Sequence, residues 1–140
     1  MLLRREVFAQ VGMFSEDYFM YAEDLDLNYK LKRAGYTNYY VGETAIIHHG
    51  GRSSSRQKVS QWSTTMKYRA MTRYYRKTRG RLYELMYRST MACAAVGRLL
   101  LLGIAYLSGS LVWNRESVRY AADKWKAVLK WAVGRQDLAL

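Results

Sequence analysis

The 140-residue sequence is 50% hydrophobic, which is enough to form a core and excludes a disordered chain. Its formal net charge of +12 is unevenly divided: residues 1–50 carry five basic and seven acidic side chains, whereas residues 51–140 carry eighteen basic and four acidic ones. This division argues against a uniformly basic nucleic-acid binder. It predicts a near-neutral first part that carries chemistry, joined to a cationic second part that binds an anionic surface.

The first part of the chain predicts a mixture of helices and strands. Helices are expected over residues 4–11 and 24–34, and a glycine that can end the helix follows each of them. Residues 36–41 and 45–48 are rich in aromatic and β-branched side chains, which predicts two short strands. The glycine- and serine-rich residues 50–55 predict a loop that separates the two parts of the chain.

The second part, residues 56–140, predicts a helical tail. Apolar spacing indicates helices over residues 59–79 and 117–133, and the sequence contains no proline to interrupt them. Residues 89–113 contain a single charged side chain and have about the length of a membrane span. Cys93 lies in this apolar run; as the only cysteine it cannot form an intramolecular disulfide, and we expect a buried, inert thiol.

Three carboxylates occur within four residues at the start of the second predicted helix: Glu23, Asp24 and Asp26. One interpretation is helix capping, in which Asp24 or Glu23 accepts hydrogen bonds from free backbone amides. The other is catalytic, because a carboxylate at the end of a loop can accept a proton from a substrate hydroxyl. The residues alone leave both interpretations open.

Two adjacent histidines, His48 and His49, follow the second predicted strand and precede two glycines. Glycines permit close approach of a ligand or a metal ion to neutral imidazoles. A metal site needs more ligands than these two, so the pair predicts a binding site only in combination with other residues.

Together, these motifs resemble the C-terminal half of the catalytic domain of family 2 glycosyltransferases, especially rhamnosyltransferase-like and galactofuranosyltransferase-like members. The resemblance covers residues 1–55 through the blocks LLRREVFAQVGMF, SEDYFMYAEDLDLNYKLKRAGY and NYYVGETAIIHHGGRSS. It implies a partial α/β unit of the GT-A, Rossmann-like type, followed by a mostly α-helical tail. It also implies inverting transfer of a hexosyl group from a nucleotide sugar to a polysaccharide or glycolipid precursor.

The resemblance implies a role for each carboxylate of the acidic motif. Asp24 is expected to be the general base that deprotonates the acceptor hydroxyl as it attacks the anomeric carbon. Glu23 is expected to help bind the acceptor, and Asp26 to cap the helix or support the site. Three preceding side chains are expected to line the acceptor side, with ordinary packing as the alternative: Phe19, Met20 and Tyr21.

The resemblance further implies a divalent cation, Mg²⁺ or Mn²⁺, bound by His48 or alternatively by His49, which neutralises the departing nucleotide diphosphate. The family's Asp-x-Asp metal ligands and nucleotide-binding first half are missing from this sequence. We therefore expect a truncated or split glycosyltransferase that acts with a separate N-terminal half and transfers no sugar alone. The alternative is a non-enzymatic membrane-surface or assembly module left by truncation.

Three partners are possible for the cationic tail. An anionic membrane surface, bound by basic residues and tryptophans, is the favoured one. A membrane span over residues 89–113 is less favoured because of Arg98, Ser108 and Ser110. Nucleic-acid binding, suggested by interleaved arginines and tyrosines in residues 67–83, is the least favoured. The expected location is therefore peripheral, on the cytoplasmic side of the cell membrane.

Overall fold

A computed structural model describes residues 1–45, 47, 57–107 and 115–134, with side chains given for all of these except 57–62 and 115. The regular structure of this part of the chain is helical. Its elements, in chain order, are α1 (Arg5–Gln10), α2 (Glu23–Arg33), α3 (Gln57–Arg79), α4 (Arg81–Leu107) and α5 (Arg115–Ala132).

The predicted α/β class, and with it the partial GT-A unit, is wrong for the residues that the structure describes. Residues 36–41 form no strand, and neither do Ala45 and Ile47, the two described residues of the second predicted strand. Strand propensity depends on neighbouring strands, and two short strands alone are at best marginally stable in water. Tyr39 and Tyr40 are 85% and 96% exposed, so this segment has no apolar face against which a sheet could form.

The predicted helices in the first part lie within one residue of α1 and α2. In the tail, α4 includes the described part of the apolar run, residues 89–107, and also the eight residues before it, 81–88. Gly80, at a φ of 88°, separates α3 from α4. This left-handed conformation is open to glycine at little cost, and it ends α3 as a C′ residue does.

The main core lies between α4 and α5, which run antiparallel with α3 packed against both. Ala95 of α4 and Trp131 of α5 are 0% and 2% exposed. The ring of Tyr68, on α3, stacks on Trp131 with 5.2 Å between centroids. A smaller cluster of Tyr18, Ala22 and Ala70 joins the start of α2 to α3. The smaller cluster therefore holds the first part of the chain against the helical tail.

The expected burial of Cys93 is wrong, because the thiol is exposed. Cys93 lies two positions before buried Ala95, which places it about 200° around the helix, on the side away from α3 and α5. The same side of α4 carries a continuous exposed stripe of apolar side chains, which we call the outer face: Leu82, Met86, Val96, Leu100, Ile104 and Leu107.

Candidate functional site

The loop before α2 enters the helix through two left-handed residues. Tyr21 and Ala22 have φ values of 68° and 65°, which are unfavourable for residues with a Cβ atom. Ala22 is buried against Tyr18 and Ala70, and this packing holds the turn in place. Such backbone outliers are frequent at functional sites, where surrounding packing stabilises them. Here the turn makes Glu23 and Asp24 the first two helical residues of α2.

Asp24 combines solvent exposure with a fixed orientation. Its Oδ1 accepts a hydrogen bond from the backbone N–H of Leu25 at 2.9 Å, and the side chain is otherwise exposed. The N-cap residue itself is Ala22, but the contact of Asp24 with the Leu25 amide, a free N–H of the first turn, is of the kind that the capping interpretation predicts. The helix dipole stabilises a carboxylate in this first turn. The arrangement leaves Oδ2 of Asp24 open to accept a proton.

Glu23 differs from Asp24 in its surroundings. Its Oε2 atom is buried and accepts no hydrogen bond from the described part of the protein. A buried carboxylate oxygen without a donor is costly unless a ligand or water supplies one. A hydroxyl group from a bound sugar is a donor of the required kind, so this atom can contribute to acceptor binding.

Asp26 lies at the centre of a buried polar network. It is 0% exposed; its Oδ2 accepts a hydrogen bond from Ser15 Oγ at 2.5 Å, and its Oδ1 accepts one from Tyr18 Oη at 3.3 Å. Lys77 Nζ on α3 lies 3.3 Å from Oδ1, and Lys30 Nζ lies 3.5 Å from Oδ2. Asp26 therefore joins the loop, α2 and α3, and it is fully enclosed by these partners.

In this network, the hydrogen bond and the positive charges around Asp26 outweigh the effect of its burial on its pKa. Burial by itself raises the pKa of Asp26, but the hydrogen bond from Ser15 and the charges of Lys77 and Lys30 outweigh it and hold the pKa below its usual range. Lys77 also forms an ion pair with Asp17 at 2.8 Å. Although burial lowers the pKa of Lys77, these carboxylates raise it above its ordinary value overall. Both groups are therefore ionised at neutral pH.

A cleft of about 520 Å³ opens beside this network, between the loop of residues 17–20 and the helices α3, α4 and α5. Phe19 and Met20, which the sequence assigns to the acceptor side, line one wall. The third such residue, Tyr21, instead packs against the small cluster around Ala22. The structure therefore brings two of the three predicted acceptor-side residues together in the cleft, whereas Asp24 is not among the residues that line it.

The opposite wall of the cleft is rich in arginine. Arg69, Arg73 and Arg76 lie on α3 at i, i+4 and i+7, so they share one face of the helix. Arg88 of α4 also lines the cleft, but its guanidinium donates hydrogen bonds to the carbonyl oxygens of Trp131 and Ala132 at the end of α5. Sequence reasoning missed this cleft, although the 4-and-3 spacing of the α3 arginines was a visible signal.

The predicted metal ligands cannot be placed, since His48 and His49 lie outside the described residues. Within the described part of the chain, no group of three or more His, Cys, Asp or Glu side chains could hold a metal ion. The acidic motif thus forms no such ligand cluster with other described residues. The divalent cation stays a prediction, and the chemistry of Asp24 and Glu23 is considered without it.

Comparison with known proteins identifies relatives of part of the chain. A segment of 60 residues, 43% of this chain, is 45% identical to the N-acetylglucosaminyl-diphospho-decaprenol L-rhamnosyltransferase of Mycobacterium tuberculosis, in two strains. A segment of 75 residues, 52% of this chain, is 36% identical to the rhamnosyltransferase WbbL of Escherichia coli K12. These relatives of the chain are rhamnosyltransferases.

The resemblance to glycosyltransferases that the sequence motifs indicate is therefore confirmed at this level. The matched segments cover 20% of the mycobacterial relative and 28% of the Escherichia coli relative, so the chain spans between a fifth and somewhat more than a quarter of their length. No protein-family model matches the chain, and no solved structure matches it. The relatives support a glycosyltransferase of a general kind.

Proposed function

We propose that this chain is the acceptor-binding portion of a family 2 glycosyltransferase that transfers L-rhamnose from a nucleotide sugar to a lipid-diphosphate-linked glycan precursor. The observation that carries the proposal is the 45% identity to a relative whose name specifies that transfer and acceptor. The local geometry supports it, because an exposed carboxylate at the start of α2 follows a loop that lines a basic cleft.

The proposed chemistry depends on Asp24. The acceptor hydroxyl oxygen attacks the anomeric carbon of the donor, the bond from that carbon to the nucleotide diphosphate breaks, and the hydroxyl proton passes to Oδ2 of Asp24. Attack opposite the leaving group inverts the anomeric centre. The Leu25 amide holds Oδ1, which fixes the orientation of the carboxylate. General-base assistance of this kind contributes about 10²- to 10⁴-fold in rate.

Two further components belong to the proposal. A divalent cation, Mg²⁺ or Mn²⁺, at His48 or His49 neutralises the leaving diphosphate when bound. A separate nucleotide-binding portion supplies the donor, since the described residues contain none of the parallel strands on which nucleotides bind in α/β folds. Accordingly, the 140-residue chain alone is expected to transfer no sugar.

The proposed location is the cytoplasmic surface of the cell membrane. Among the described residues, α4 is one helix that is long and apolar enough to cross a membrane by length and composition alone. However, α5 packs along α4 and carries Arg119, Lys124, Lys126 and Lys130. Charged groups are costly at the centre of a bilayer, about 2.5–3.5 kcal/mol each on insertion scales. These charges favour a helix pair that lies on the surface with its outer face in the lipid.

A chimeric enzyme tests the proposed function. The part of the mycobacterial relative that precedes the matched segment is joined to all 140 residues, and transfer of radiolabelled rhamnose to a lipid-diphosphate-linked N-acetylglucosamine is measured. We expect transfer by the chimera and its loss in Asp24→Asn, with Asp123→Asn on α5 as the matched control that retains activity. A folded chimera without transfer would favour the alternative, a non-enzymatic membrane or assembly module.

A further inference from the structure

The arginine-lined cleft has the features of an anion-binding site. Arg73 is exposed, and Arg76 has a side chain that is 67% exposed even though its Nε lies 3.5 Å from Glu84. Four arginines in the cleft face two carboxylates, Asp17 and Glu84. Asp17 is already paired with Lys77 at 2.8 Å. The lining of the cleft therefore contains more positively than negatively charged side chains.

The spacing of the three α3 arginines sets the length of the row of hydrogen-bond donors along the cleft. Arg69 and Arg76 are seven residues apart on one helix face, which corresponds to about 10 Å along the axis. Each guanidinium presents a planar fork of donors that matches phosphate oxygens in pairs. Arg88 is held by the end of α5 and Arg73 by the carbonyl oxygen of Asp17, so their positions are fixed before a ligand binds.

We propose that Arg69, Arg73 and Arg76 bind the diphosphate group of the lipid-linked acceptor, and that the loop of residues 17–20 lies over the attached sugar. This assignment rests on the proposed function for the identity of the acceptor. The other wall of the cleft supports it, because Phe19 is 69% exposed at the rim and offers an apolar surface for a sugar ring. The cleft volume, about 520 Å³, is within the range for small-molecule sites.

Binding to vesicles tests the site without any transfer reaction. The complete 140-residue chain is titrated with phosphatidylcholine vesicles that contain geranylgeranyl diphosphate, and the variants Arg69→Gln, Arg73→Gln and Arg76→Gln are compared. Each loss of a charged donor is expected to weaken binding about tenfold. Lys67→Gln is the matched control, because this exposed lysine lies about 200° around α3 from Arg69. Circular dichroism is used to check that each variant remains helical. The variant Arg73→Lys keeps the positive charge but loses the planar fork of guanidinium donors, and we expect it to bind at an intermediate level.

Two further probes distinguish the sources of phosphate. Vesicles with phosphatidylglycerol at equal charge should bind more weakly and with little dependence on the three arginines. Free thymidine diphosphate carries the same diphosphate without a lipid, so it should compete for the site more weakly than geranylgeranyl diphosphate does. The assignment is overturned by an equal loss in Lys67→Gln or by unchanged binding in the arginine variants. It is also overturned by arginine-dependent binding of phosphatidylglycerol vesicles, or by thymidine diphosphate that competes as strongly as geranylgeranyl diphosphate. If diphosphate binding holds but the chimera fails to transfer rhamnose, the proposed function fails and the binding site stands.

Discussion

The buried carboxylate of Asp26 should dominate the stability of the first part of the chain. Replacing it with asparagine keeps the shape but removes the negative charge that faces Lys77 at 3.3 Å and Lys30 at 3.5 Å. Removal of one partner from a buried ion pair costs about 3–5 kcal/mol. Here the side chains of Lys30 and Lys77 are 22% and 40% exposed and Lys77 keeps its ion pair with Asp17, so we expect a smaller loss for Asp26→Asn, about 2 kcal/mol.

Urea unfolding followed by circular dichroism measures this loss. With an m value of about 2 kcal/mol/M, a loss of about 2 kcal/mol lowers the midpoint by about 1 M at pH 7. The control Asp123→Asn breaks an exposed pair with Lys126 at 3.7 Å, and it should change the free energy of unfolding by less than about 0.5 kcal/mol. Comparison of the two variants therefore distinguishes the effect of a buried charge on the free energy of unfolding from that of an exposed charge.

The pH dependence gives the same claim a second test. Because the pKa of Asp26 is lowered on folding, its stabilising effect is fully present above the unfolded pKa of about 4 and is lost as pH falls through the folded pKa. The difference between the wild type and Asp26→Asn should shrink towards zero as the medium becomes strongly acidic. A difference that is as large in acid as at pH 7, or a loss below about 0.5 kcal/mol at pH 7, would refute the reasoning.

Three other predictions concern catalysis, the core and the membrane face. Asp24→Asn in the chimera should lower kcat by about 10²- to 10⁴-fold in a steady-state transfer assay, while Glu16→Gln, an exposed carboxylate elsewhere in the loop, leaves it unchanged. Trp131→Ala should cost about 3–5 kcal/mol in urea unfolding, because the ring is buried between α3, α4 and α5. Exposed Cys93 should react rapidly with a thiol reagent in the native chain, and anionic vesicles should slow that reaction; no slowing would argue against lipid contact by the outer face.

Helices with local signals could be predicted from the sequence. The regions of α1 and α2 have apolar spacing followed by glycine, and the stripe of α5 repeats every three or four residues. The prediction of strands was wrong for residues 36–41 and for 45 and 47, the described residues of the second strand, because pairing depends on partners that no local pattern reveals. Residues 81–88 of α4 were not predicted as helix, because this amphipathic segment lacks the uniform apolarity of the residues that follow.

The candidate site was only partly visible in the sequence. The acidic motif was found from its spacing, but the separate roles of its members depend on tertiary contacts: Asp26 is enclosed by Ser15 and Lys77, whereas Asp24 is exposed. The interleaved tyrosines of α3 looked like stacking sites for bases. In the structure Tyr68 stacks on Trp131 and Tyr74 packs against Tyr29, so these rings take part in the core.

The most direct test of the central claim supplies the two portions of the enzyme separately. Transfer of radiolabelled rhamnose to the lipid-linked acceptor is measured for the 140-residue chain alone, and again after addition of the part of the mycobacterial relative that precedes the matched segment. We predict no transfer by either polypeptide alone, transfer by the mixture, and its loss in Asp24→Asn. Transfer by the isolated chain that Asp24→Asn abolishes would contradict the claim that it supplies only the acceptor portion.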